Sequence, residues 1–118
     1  MQPKFNLDTI PTADMAALRL CCEGFVQQQN AIFAELNRAL NTGGEIEVAI
    51  PVGAENEDLL QAILFFTMIV NEYRDKNRSA SSGVTVIESA SVDFCRLVLD
   101  ALLTAAMARK RAQAAAWN

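Results

Sequence analysis

The chain has 118 residues, 52% of them hydrophobic and 20% charged, with ten Lys and Arg against fourteen Asp and Glu. That length suits one domain with its own core, and 33 Leu, Ile, Val and Phe residues set it apart from disordered compositions. A net charge of −4 disfavours nucleic acid as the main partner, and the absence of histidine removes the commonest general base, proton shuttle and neutral metal ligand together.

Residues 1–11 read as an amino-terminal arm. They lack a basic region followed by an apolar run, so no secretory signal is expected. Phe5, Leu7 and Ile10 are spaced anchors for an arm laid across its own domain or a neighbouring subunit.

A single helical domain is expected over residues 12–113. Its first helix opens at Thr12, with Pro11 before it and Asp14 in the first turn, and stops at Asn41-Thr42-Gly43-Gly44. Between these, Met15, Leu18, Cys22, Phe25, Gln29, Ile32, Leu36 and Ala39 alternate at spacings of three and four. Val26, Phe33 and Leu40 lie beside that seam, giving the broad apolar stripe of a bundle helix. Gln29 falls within the stripe, either as a register-setting polar residue or at its rim. Next, Glu45-Ile46-Glu47-Val48-Ala49-Ile50 alternates with period two and ends at Pro51.

The second helix is expected over Asn56–Asn77, with Glu55, Glu57 and Asp58 at its start and Arg74, Lys76 and Arg78 at its end, both favourable to the helix dipole. From Leu59 to Val70 only Gln61 and Thr67 interrupt twelve otherwise apolar positions. Such a run rises about 18 Å as a helix, short of the ~30 Å hydrocarbon layer, so membrane insertion is not expected. A helix apolar all round must be covered all round. Leaving four such side chains in water forgoes roughly 1.5–3 kcal/mol each, and two flanking helices from one chain leave part of the cylinder bare. A second copy is the simplest cover. This predicts a homodimer or higher oligomer with Leu59, Ile63, Phe65, Phe66, Ile69 and Val70 at its interface.

After the loop Ser79-Ala80-Ser81-Ser82-Gly83, Val84-Thr85-Val86-Ile87-Glu88 is β-prone, and pairs with residues 45–50 or packs as an extended segment. The third helix starts near Ser91, with Cys95, Val98, Leu102 and Ala105 on one face. Arg96 and Asp100 are placed to pair at i, i+4, and Arg109, Lys110 and Arg111 close the helix before a tail at 114–118. The fold expected is mainly α: three long helices, the middle one apolar and central, with two short β segments in the order α-β-α-β-α.

Chemistry is scarce. There is no phosphate-binding glycine loop, nucleophile elbow, zinc-protease motif or calcium loop, and no cofactor or metal site is expected. Cys21, Cys22 and Cys95 form neither a CxxC nor an even set, which suits thiols in a reducing cytoplasm. Glu45 with Glu47 suits a solvated strand edge, and Glu55, Glu57 and Asp58 suit a helix start.

The leading expectation is a non-enzymatic interaction protein of adaptor, regulator, assembly-chaperone or inhibitor type, binding itself and another protein. One alternative is a regulator that holds a small ligand or nucleic acid on Arg74, Lys76 and Arg78. The other is a Mg²⁺-dependent enzyme whose carboxylates converge between subunits. Charge is uneven, with residues 1–70 carrying three bases and nine acids and residues 71–118 seven bases and five acids. That asymmetry favours oriented association.

Overall fold

The computed structural model describes residues 4–75 and 89–116. It is mainly helical, as expected, but among the described residues four helices stand where three were anticipated. A short strand β1 (Lys4–Asn6) leads through a single 3-10 turn (Leu7–Thr9) into α1 (Thr12–Gln27) and α2 (Ala31–Thr42). Strand β2 (Glu45–Glu47) follows, then α3 (Asn56–Asp75) and α4 (Ser89–Ala116). The α1/α2 pair and the α3/α4 pair each pack intimately, with the core between them.

The expected first helix is broken at Gln28-Gln29-Asn30. Gln29 adopts φ 63°, a left-handed conformation that ends α1. The backbone N–H groups of Gln28, Gln29 and Asn30 fold back onto the carbonyls of Phe25 and Val26 at 2.9–3.2 Å. Asn30 then caps α2, its Oδ1 accepting from the N–H of Ile32 (3.0 Å) and Phe33 (3.3 Å). Gln29 is therefore an exposed turn residue rather than a register-setting position in a seam. Because a side chain strains the left-handed conformation and glycine does not, Gln29→Gly is expected to raise the unfolding free energy by about 0.5–1 kcal/mol. Denaturant titration checks this, and a loss of stability would refute the strain.

Gly43 (φ 74°) and Gly44 (φ 70°) end α2 where the sequence suggests, and turn the chain into β2. β2 pairs antiparallel with β1, in the register Lys4↔Glu47, Phe5↔Ile46 and Asn6↔Glu45. The strand is shorter than residues 45–50 suggest, and its partner is the amino-terminal arm. The segment 84–88 lies outside the described residues. Glu45 and Glu47 point outward, while Ile46 is half-buried and Val48 buried. Leu7 and Ile10 are buried and the Phe5 ring lies 5.2 Å from that of Phe94, so the arm contributes to its own chain's core.

Four rings tie α1, α2 and α3 together. Phe33 stacks on Phe25 (4.2 Å between centroids) and lies parallel to Phe66 (6.0 Å), while Phe65 meets all three edge-on at 5.1–5.4 Å. The start of α4 is fixed by a buried hydrogen bond in which the Ser91 hydroxyl donates to Asp14 Oδ2 at 2.8 Å. α4 begins at Ser89, two residues earlier than expected, and runs into the alanine tail as far as Ala116. Alanine's high helix propensity accounts for that extension.

Candidate interaction surface

α3 opens with a cap supplied by Asp58. Asp58 Oδ2 accepts from the Glu55 N–H at 3.3 Å, and the same oxygen accepts from the Ala31 N–H at the start of α2 at 3.4 Å. Asn30 Nδ2 donates to Gln61 Oε1 (2.9 Å) and to the Asp58 carbonyl (3.3 Å), so the α1–α2 corner is bolted to the first turns of α3. These contacts set the rotation of α3 about its axis. Leu59, Ala62, Phe66, Ile69 and Val70 turn into the core.

That rotation decides which apolar side chains remain outside. Of the six positions expected at an oligomer interface, Leu59, Phe66, Ile69 and Val70 are buried within the subunit, and Ile63 and Phe65 are half-buried against its core. The exposed apolar side chains of α3 are instead Leu60 (56% accessible), Leu64 (62%) and Met68. They recur every four residues and so form one stripe. Three large apolar side chains of the run thus stay exposed, on the flank adjacent to the expected residues.

On α4, Leu103 and Met107 (61% accessible) are exposed as well. Leu60 lines a shallow depression of about 190 Å³ between the two helices with Ile63, Ala106, Arg109 and Lys110. Arg109 Nη1 closes its end by donating to Asn56 Oδ1 at 3.0 Å. Leu103 and Met107 stand three positions before Ala106 and Lys110, which sets them beside that depression. The outer side of the α3/α4 pair thus carries a band of exposed apolar side chains from both helices, the kind of surface that marks interaction sites.

Charged side chains bound the band. Asp93, Arg96 and Asp100 are exposed on α4 before Leu103, and Lys110 and Arg111 after Met107. The Arg96–Asp100 pair expected from spacing is not formed. Among the described residues the one ion pair is Arg38–Glu35, on α2.

Other candidates do not assemble. Glu45, Glu47, Glu55 and Glu57 are exposed and Asp58 is used as a cap. Among the described residues no group of three or more His, Cys, Asp or Glu side chains is gathered to hold a metal ion. Arg74 lies in the last turn of α3, while Lys76 and Arg78 fall outside the described residues. Cys21 is exposed, and Cys22 and Cys95 are buried and free. Burial pushes each of the two buried thiols up to about 12, which keeps them protonated and unreactive.

A second depression, about 250 Å³, lies between α2 and residues 46–50, with Ile32, Leu36, Val48 and Ile50 on its walls and Glu35, Arg38 and Glu47 also lining it. It is smaller than the clefts of about 300–1,000 Å³ that enclose most small-molecule ligands. Among the described residues no helix is long and apolar enough to cross a membrane.

Arg19 lies off the apolar stripe of α1 in its sequence spacing. It is half-buried and reaches across to α2, where Nη2 donates to the Leu40 carbonyl at 3.4 Å and its Nε is buried without a partner. No signal in the sequence distinguishes it, because the contact depends on α1 and α2 folding back on each other.

No family model matches the chain, and comparison with curated proteins and with solved structures returns no match.

Proposed function

We propose that the protein is a non-enzymatic, homo-oligomeric interaction module that associates through the outer face of α3 and α4. The observation that carries this reading is the stripe of Leu60, Leu64 and Met68 beside Leu103 and Met107, large apolar side chains left in water on two adjacent helices. Covering them with a second copy removes apolar surface from water, at about 25 cal/mol per Å². Further protein partners then dock on the assembled oligomer by helix-face contact.

Light scattering at micromolar concentration and moderate salt tests the reading. The expected mass is at least twice that of the 12.9 kDa chain. Leu64→Glu and Met107→Glu, each at an exposed position, are expected to yield a 12.9 kDa species whose circular dichroism retains the helical signal. A wild-type protein that runs as a monomer would overturn the proposal.

A further inference from the structure

The outward residues of α4 form one stripe with alternating spacings of three and four: Asp93, Arg96, Asp100, Leu103, Met107, Lys110 and Ala114, all exposed. Such spacing keeps a row of side chains facing a partner helix. The order along the row is charged, then apolar, then basic, with a small alanine at the end. Its apolar centre is Leu103 and Met107, with an acid one turn before and a base one turn after.

We infer that two copies meet through α4 packed antiparallel on itself, with the two-fold axis between Leu103 and Met107. This rests on the self-association proposed above and specifies its geometry. In an antiparallel pair related by a two-fold axis, positions equidistant from the centre on opposite sides face each other. Setting Leu103 against the partner's Met107 then places Asp100 against the partner's Lys110, with the partner's Arg111 adjoining. Arg96 falls against the partner's Ala114, where it meets no like charge. Each charge pair occurs twice. A parallel pairing would instead set Asp100 on the partner's Asp100 and Lys110 on the partner's Lys110, with like charges opposed at both ends. Asp100 and Lys110 are exposed and form no ion pair with any described residue of their own subunit, so both can make this one. Leu60 borders the same centre through its depression with Ala106 and Lys110, and Leu64 and Met68 extend the covered face along α3.

Charge exchange tests the register. Asp100→Lys alone and Lys110→Asp alone each oppose like charges at both ends, so each variant should dimerise about tenfold or more weakly than the wild type. An equimolar mixture of the two variants restores opposite charges at both ends of a heterodimer, and should return to within about threefold of wild-type affinity. Zero-length carbodiimide coupling of the wild type gives a second readout independent of any substitution. Within one helix the two side chains are ten residues, about 15 Å, apart, so an amide between Asp100 and Lys110 forms only between copies. Mixed isotope labelling identifies it by mass. A wild-type dimer that tolerates either reversal, or whose variants do not complement, refutes this register and leaves the association standing. A monomeric wild type removes both.

Discussion

Phe66→Ala is expected to lower the unfolding free energy by about 3–5 kcal/mol. The ring is fully buried, parallel to Phe33 and edge-on to Phe65, where α3 meets α2. Truncation removes the transfer energy of the ring and leaves a cavity whose walls are other aromatic rings. Those rings, Phe33 on α2 and Phe65 on α3, are themselves held by Phe25, which limits how far the site can collapse around the gap. Urea titration at one fixed protein concentration measures the effect, since association adds to apparent stability. A loss below about 1 kcal/mol would place Phe66 outside the core and would require a different rotation of α3.

Asn30→Ala is expected to cost about 2–4 kcal/mol. The residue is 1% exposed and its amide makes four hydrogen bonds, two accepted from the first turn of α2 and two donated to Gln61 and the Asp58 carbonyl. Loss of the cap costs about 1 kcal/mol, and losing the two part-buried bonds that Asn30 donates, at about 0.5–1.5 kcal/mol each, costs about 1–3 kcal/mol more. Asn30→Asp separates the two contributions. It keeps the cap but sets a carboxylate where donors are needed, against Gln61 Oε1 and a carbonyl. Protonation restores one donor, so this variant should recover toward wild type as pH falls. Parallel denaturation curves at neutral and acidic pH check the sign. Equal deficits at both values would mean that the donated bonds do not matter.

Both residues show what the sequence carried and what it concealed. The mainly helical character, the stop at Gly43-Gly44 and the inward face of α4 follow from local periodicity and turn chemistry, and the structure has them. The break at Gln29 escaped because a left-handed turn residue followed by a cap preserves the spacing of apolar residues on either side. The polar run Gln27-Gln28-Gln29-Asn30 was the available signal, and an asparagine directly before an apolar periodic segment is a cap signature. The pairing of β1 with β2 joins positions about forty residues apart, which no local pattern encodes.

The exposed face shows the same limit. That the Leu59–Val70 run is apolar nearly all round is a statement about composition, and composition is legible. Which flank stays bare is a statement about rotation. That rotation is set by contacts such as Asn30 with Gln61 and Ala31 with Asp58, between residues 27 to 31 positions apart. The twelve apolar positions alone orient α3 poorly; the available signal lay in the polar positions Glu57, Gln61 and Asn71, which share a helix face with Leu64 and Met68.

The hydrogen bond from Ser91 to Asp14 spans 77 positions, and it imposes a birth order on the molecule. During synthesis the amino-terminal hairpin leaves the ribosome long before α4 exists, so the Asp14 carboxylate meets the Ser91 hydroxyl only late. Until then the ring of Phe5, which packs on Phe94, and the Asp14 carboxylate have only part of their shelter. Nascent chains in that state are the clients of holding chaperones, and distant closures of this kind slow the final folding step. A ribosome stalled before residue 91 would present an unfinished core, however well its first two helices had already formed.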